Sequence, residues 1–95
     1  MAVWQERAEL LFKEEGLNNL KNSNVLIVGL GGVGSFAAEF IARAGVGKMT
    51  IVDGDTVDIT NINRQLPALH STVDQHKVDV VAARLMDINP ELELT

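Results

Sequence analysis

The sequence predicts an α/β fold in which a Rossmann-like parallel sheet follows an N-terminal helical segment. Two short apolar runs, Val25 to Val28 and Met49 to Val52, have the length and β-branched content of buried strands. The stretch between them has apolar residues at helical spacing. Strand, helix and strand in this order predict two parallel neighbours joined by a crossover helix. We divide the chain into a helical segment, residues 1–22, and a βαβα unit, residues 23–95.

The N-terminal segment carries the pattern of one short amphipathic helix from Val3 to Glu14. Trp4 and Phe12 lie on its predicted apolar face, where they would cover the core or a partner. Gly16 is expected to break this helix. Leu17 to Lys21 would then form a further helical turn before the first strand.

The first strand and the following helix are predicted from their apolar residues. Four consecutive apolar residues from Val25 predict a strand that is buried on both faces. Apolar positions then recur every three or four residues from about Val33 to Ala44. Gly45 supplies the expected stop of that helix.

The last third of the chain predicts a second crossover helix and the start of another strand. Asp74 to Ile88 has helical periodicity, and Asn89-Pro90 is a stop signal. The alternation from Leu92 to Leu94 is typical of a strand.

The predicted sheet is small. Two strands and a fragment leave edges unpaired, whereas sheets usually have about five or six strands. We therefore expect a portion of a larger domain, or a chain that completes its sheet through a partner. The alternative is a small domain that ends here.

Composition excludes several classes of protein. The chain has 95 residues, no cysteine and a net charge of −5. A disulfide framework and a CxxC metal site are therefore excluded, and a broad basic surface for nucleic acid is not expected. The charged N-terminus is unlike a signal peptide, and no apolar run approaches the roughly 20 residues of a membrane span. A cytoplasmic protein without membrane contact is expected.

A glycine-rich loop follows the first strand. Gly29, Gly31 and Gly34 form GxGxxG, with Gly32 as a fourth glycine. Such a loop lets a phosphate approach the backbone at the start of a helix. Asp53, at the end of the second strand, is placed to accept hydrogen bonds from ribose hydroxyls. Together they predict a nucleotide-binding unit.

The residues after Asp53 favour ATP over a dinucleotide. Asn61, Arg64 and Gln65 follow the second strand, at the sheet edge where ligands bind in open α/β folds. Arg64 and Lys77 are two cations that can neutralise charge developing on a polyphosphate. Hydride transfer needs no such charges, although a plain NAD-binding domain stays open as an alternative.

Several motifs in one order resemble a known family. They are GLGGVGS from Gly29, IVDGDTVD from Ile51, NINRQ from Asn61, HKVD around Lys77 and DINPEL from Asp87. The pattern is similar to the ThiF/MoeB/HesA superfamily of ubiquitin-activating-enzyme-like adenylyltransferases. Within it, the N-terminus and the NRQLPAL segment look most like the bacterial tRNA threonylcarbamoyladenosine dehydratases (TcdA/CsdL).

The resemblance implies a truncated portion of a larger adenylation domain that uses ATP and Mg²⁺. It implies that Arg64, Lys77 and Arg7 are catalytic, with Arg7 reaching the ATP site of the neighbouring subunit in a homodimer. The magnesium-binding aspartate of relatives would lie past residue 95, and no metal ligand is assigned here. The implied nucleotide-binding residues are Gly29, Gly31, Gly32, Gly34, Ser35, Asp53, Asp55, Asn61, Arg64, Gln65 and Lys77.

The implied reaction is adenylation of a carboxylate. In the dehydratase branch this carboxylate belongs to threonylcarbamoyladenosine in tRNA, which then closes to a cyclic form. Because the chain is acidic, tRNA would bind through regions absent here. One alternative is adenylation of the C-terminus of a sulfur-carrier or ubiquitin-like protein, with a sulfur-transfer partner. Another is a catalytically incomplete nucleotide-binding and dimerisation fragment.

Overall fold

Three parallel strands form the sheet at the centre of the protein, whose computed structural model describes residues 2–95. They are β1 (Asn24–Val28), β2 (Lys48–Val52) and β3 (Glu93–Leu94), in the spatial order β1-β2-β3. All five residues of β1 pair with β2, from Asn24 opposite Lys48 to Val28 opposite Val52. The predicted parallel α/β fold is confirmed, including the third strand.

Two helices cover one face of this sheet. They are α2 (Gly32–Ala44) and α3 (Lys77–Ile88). Both connections pass over the same face because crossovers between parallel strands are right-handed. The core beneath the helices consists of Ile27, Leu30, Ala38, Ala42, Val46, Met49, Ile51, Val81, Leu85 and Leu92.

The other face of the sheet is exposed within residues 2–95. Leu26, Val28 and Val52 are 64%, 73% and 48% exposed. The prediction that Val25 to Val28 is buried on both faces is therefore wrong for the described part of the chain. The pairs Leu26–Thr50 and Val28–Val52 point away from α2 and α3, and no element among residues 2–95 lies over them.

The N-terminal segment is helical, but it breaks at a different residue from the predicted one. A short 3₁₀ turn over Val3–Gln5 leads into α1 (Glu6–Lys21), which is interrupted at Lys13 with φ 61° and ψ 175°. Gly16 lies inside the helix, so the predicted break at Gly16 is wrong. Leu17 is the buried residue of α1.

The helix boundaries follow local backbone signals. Gly45 ends α2 in the left-handed conformation, with φ 101°, as predicted. The last helix begins at Lys77 and not at Asp74, because Asp74 has φ 72° and donates its N–H to Val57 O. Thr56 and His76 form an antiparallel bridge that closes the loop before α3. None of the helices in residues 2–95 has the length and apolar character needed to cross a membrane.

Candidate functional site

The glycine loop lies at the carboxyl end of β1. Gly29 adopts φ 89° and donates its N–H to Val52 O at 2.7 Å, which holds the loop against the end of β2. A side chain at Gly34 would put its Cβ 1.8 Å from Gly29 O. Glycine at position 34 therefore allows the first turn of α2 to pack directly on the loop.

The N-terminus of α2 is open for an anion. Its N-cap is Gly31, and no side chain caps the free backbone N–H groups. The positive end of the helix dipole points in the same direction. Free backbone N–H groups at a helix N-terminus are a common binding site for a nucleotide phosphate.

Asp53 lies at the end of β2, next to this loop. Its Oδ2 accepts the N–H of Leu30 at 2.6 Å, and its Oδ1 accepts the N–H of Asp55 at 2.7 Å. Partial burial raises the pKa of Asp53, but these two hydrogen bonds and the charge of Lys77 together hold it below 3.8. Each oxygen keeps a second lone pair, so the carboxylate can also accept from ribose hydroxyls. Asp55 is exposed beside it.

The segment from Asn61 to Gln65 packs against the glycine loop. Gly32 faces the backbone carbonyl of Arg64, and Gly31 faces the amide of Gln65. A Cβ at these glycines would lie 3.7 Å and 3.6 Å from those groups. Gln65 Oε1 is buried and has no hydrogen-bond partner within residues 2–95. A buried acceptor at this position needs a donor, which a ligand or a water can provide.

Asn61 and Arg64 are held by their own loop. Asn61 Oδ1 accepts the N–H of Asp58 at 2.9 Å, which closes the turn before it. Arg64 is exposed, and its Nη1 donates to Asn63 Oδ1 at 2.9 Å and to Thr60 O at 3.3 Å. Its fork therefore lies at the rim of the site and keeps N–H groups free for phosphate oxygens.

Lys77 is the most informative side chain of the site. It is only 6% exposed, and it forms no salt bridge in the described part of the chain. Its backbone N–H donates to Asp55 O at 3.0 Å, so the start of α3 is fixed to the exit of β2. The Lys77 charge contributes to lowering the pKa of Asp53, and also that of Asp58, where hydrogen bonds from Thr60 are the main cause. The side chain is thus mostly enclosed by protein, and its ammonium, with no salt bridge among residues 2–95, is available for an anionic ligand.

Ser35 is fully buried in the first turn of α2. Its hydroxyl donates to Gly31 O at 2.5 Å and accepts the N–H of Leu66 at 3.4 Å. Of the predicted nucleotide-binding residues, Ser35 is therefore the one whose side chain is enclosed by protein groups.

Arg7 is not brought together with the other predicted site residues. Gln5, two residues before it, packs at the C-terminal end of α2, where a Cβ at Gly45 would lie 2.5 Å from Gln5 Nε2. The glycine loop is at the other end of this 13-residue helix, roughly 20 Å away at 1.5 Å per residue. Arg7 itself is exposed.

A groove of about 700 Å³ also lies at that distant end. Its lining includes Trp4, Glu9, Leu17, Gly47 and Glu93. It separates the N-terminal helix from the amino ends of the strands, so it is not part of the nucleotide site.

Two features of the site have little signal in the sequence. Val57 is buried and anchors the polar loop through backbone bonds to Asp74 and Gln75, although both of its neighbours in the sequence are polar. Leu30 provides the N–H that orients Asp53, and backbone donors carry no residue signature. Among residues 2–95 there is no group of three or more His, Cys, Asp or Glu side chains that could hold a metal ion.

Comparison with known proteins identifies relatives of this chain. The model of the ThiF family matches residues 5–95. A tRNA threonylcarbamoyladenosine dehydratase of Bacillus subtilis (strain 168) is 62% identical over 88 residues, which are 93% of this chain and 35% of that protein. A molybdopterin-synthase adenylyltransferase of Escherichia coli (strain K12) is 45% identical over 88% of this chain and 34% of its own length.

A solved structure of one such relative superposes on this chain. The E. coli tRNA N6-threonylcarbamoyladenosine dehydratase TcdA, in complex with ATP, superposes with a TM-score of 0.93 at 41% identity. That match covers 100% of this chain and 40% of the TcdA chain. The chain thus spans 35% of the length of the Bacillus relative and 40% of the solved one. The resemblance seen in the sequence motifs is confirmed, and the chain belongs to the ThiF family.

Proposed function

We propose that this chain forms the nucleotide-binding part of an enzyme that uses ATP to adenylate a carboxylate. The observation that carries the proposal is Lys77, a lysine only 6% exposed that forms no salt bridge among residues 2–95 and whose charge acts on Asp53, the neighbour of the glycine loop. A ligand with a ribose and several phosphates matches this combination. The relative TcdA, solved with ATP, supports ATP as that ligand.

In this proposal each group of the site has a separate task. Asp53 accepts from the ribose hydroxyls, and Asp55 lies near the sugar. The glycine loop and the first N–H groups of α2 receive the phosphates. Arg64 and Lys77 neutralise charge as the carboxylate attacks the α-phosphorus and pyrophosphate leaves. The attacking oxygen becomes bonded to phosphorus, so the product is an acyl-adenylate.

Mg²⁺ is proposed to come with ATP. Residues 2–95 offer no group of carboxylates able to cage it. Its ligands would then be mainly phosphate oxygens and water, as is common for nucleotide-bound magnesium.

The substrate we propose is threonylcarbamoyladenosine in tRNA. The 62% identity to the Bacillus dehydratase supports it. The net charge of −5 is unlike a tRNA-binding surface. We therefore assign tRNA contacts to parts of the protein outside this chain.

A second candidate is adenylation of the C-terminus of a carrier protein. Molybdopterin-synthase adenylyltransferase and the sulfur carrier protein ThiS adenylyltransferase of E. coli are 45% and 41% identical to this chain. The nucleotide site would be the same in both cases. The two candidates differ in the molecule whose carboxylate is adenylated.

The test is pyrophosphate release by the purified protein with ATP and Mg²⁺. One reaction contains tRNA that carries threonylcarbamoyladenosine, and the other contains a carrier protein with a free Gly-Gly terminus. Release with the tRNA alone supports the dehydratase. Release with the carrier alone would replace it by the second candidate, and release with neither would contradict adenylation of both.

Arg64→Ala and Lys77→Ala are each expected to reduce turnover by about 100-fold or more, because charge stabilisation in the transition state is lost. The measurement is the rate of pyrophosphate release, with circular dichroism to verify the fold. Lys48→Ala is the matched control, since Lys48 pairs with Glu93 at the opposite end of the sheet. Near-normal rates in both site variants would remove these residues from the mechanism.

A further inference from the structure

Ser35 joins the two halves of the nucleotide site. One half is the glycine loop, and the other is the segment that carries Arg64 and Gln65. The Ser35 hydroxyl donates to Gly31 O, and it accepts the N–H of Leu66, the residue that follows Gln65. It is the side chain that hydrogen-bonds to both segments within residues 2–95.

The hydroxyl has no capacity left for a phosphate. A serine hydroxyl has one proton, and this proton is committed to Gly31 O. Phosphate oxygens need a donor, and the lone pair that Ser35 offers is directed to the N–H of Leu66. The side chain is also fully buried. Direct contact with a bound nucleotide would require both hydrogen bonds to break.

The position of the Arg64–Gln65 segment depends on few other long-range bonds. Arg64 donates only to residues of its own loop, and Gln65 N donates to Asn61 O. On the facing glycine loop, Gly31 and Gly32 only contact Gln65 and Arg64. The hydrogen bond from Leu66 to Ser35 is therefore the directional link that sets how this segment faces the phosphate loop.

We propose that Ser35 is a positioning residue, which holds Arg64 and Gln65 over the outer phosphates of a nucleotide bound on the glycine loop. This inference rests on the proposed ATP-binding function. It predicts a selective effect, because AMP lacks the phosphates that the Arg64–Gln65 segment would contact. Loss of the hydroxyl should weaken the binding of ATP and leave the binding of AMP largely unaffected.

The test compares the dissociation constants of ATP and AMP by titration calorimetry. Ser35→Ala and the nearly isosteric Ser35→Cys are expected to raise the dissociation constant of ATP about tenfold. They should change the dissociation constant of AMP by less than about twofold. Ser35→Thr keeps the hydroxyl and is expected to restore ATP affinity. Ser23→Ala is the matched control, since its hydroxyl also bonds a carbonyl four residues earlier, Asn19 O, but at the end of α1.

Equal weakening of ATP and AMP would indicate general damage to the site and overturn the positioning role. Unchanged ATP affinity in both the alanine and cysteine variants would also overturn it. Failure of the unmodified protein to bind either nucleotide would contradict the proposed function itself. Binding of both nucleotides without any effect of Ser35 would contradict only the inference about this residue.

Discussion

At the scale of single residues, the site is organised by opposite charges that do not form a direct ion pair. Asp53 accepts two backbone N–H groups, and Lys77 is nearly buried and forms no salt bridge within residues 2–95. The Asp53 carboxylate is thus oriented by the protein before a ligand arrives, and most of the Lys77 side chain is enclosed. In the proposed reaction, such preorganisation would spare the reorganisation that solvated side chains need.

The lowered pKa of Asp53 makes part of the stability dependent on pH. Its carboxylate is favoured in the folded state, so its contribution is present above the ordinary pKa of 3.8 and is lost as the pH falls through the lower folded value. Urea unfolding of the protein and of Asp53→Asn at several pH values should show this. Below about pH 4, the free energy of unfolding should fall more steeply with decreasing pH in the parent protein than in Asp53→Asn. Parallel pH profiles would contradict the assignment.

At the scale of elements, the strands and α2 were predictable, whereas the break in α1 and the loop before α3 were not. Apolar periodicity and the stop at Gly45 are local signals, and they define these elements directly. The loop depends on the buried Val57 and on backbone bonds between residues up to 22 positions apart, as from Lys77 N to Asp55 O. Lysine is a good helix former, so no local preference indicated a break at Lys13.

The candidate site likewise has parts that could be predicted from the sequence and parts that could not. Its glycines and Asp53 follow a known spacing, so they could be located from the sequence. The placement of Gln65 against Gly31 and of Ser35 under Leu66 requires the folded loop. Local pattern alone therefore identifies the segments of the candidate site but not how they face each other.

The break at Lys13 leads to a prediction about stability. A backbone with φ 61° and ψ 175° is one that glycine adopts far more easily than lysine. Lys13→Gly is therefore expected to raise the free energy of unfolding by about 1 kcal/mol, the lower end of the cost of such strain. Chemical denaturation measures this change.

Leu10→Gly is the matched control in the same helix. Leu10 is 84% exposed, so little burial is lost, and glycine in a helix should cost about 0.8 kcal/mol. Opposite signs for the two variants are expected. Equal destabilisation by both would show that Lys13 carries no strain.

At the scale of the whole molecule, the N-terminal helix and the candidate nucleotide site lie at opposite ends. The molecule extends 42 Å along its long axis and about 20 Å across, with extents of 21 and 19 Å. The N-terminal segment leaves Val3, Leu10 and Leu11 at least 75% exposed around Arg7. Within one copy Arg7 is far from the glycine loop, so a catalytic role for it requires a second copy.

Mixing two inactive variants tests this role. If Arg7 acts across a homodimer, Arg7→Ala and Arg64→Ala should each be inactive alone, and their mixture should recover up to about one quarter of the parent activity. The recovery is expected because half of the dimers are mixed, and each mixed dimer has one intact composite site. Pyrophosphate release after subunit exchange is the measurement. No recovery, despite exchange verified by differently tagged copies, would exclude the contact in trans.

The strand order β1-β2-β3 has a consequence for how this chain folds during synthesis. Each strand pairs with the strand made immediately before it, so every addition to the sheet uses an edge that already exists. Ribosomal synthesis proceeds from the N-terminus at about 5–20 residues per second, and nascent domains form in that order. The phosphate loop is complete once β2 has emerged. The glycine loop and the strands that hold it can therefore form while later residues are still being translated.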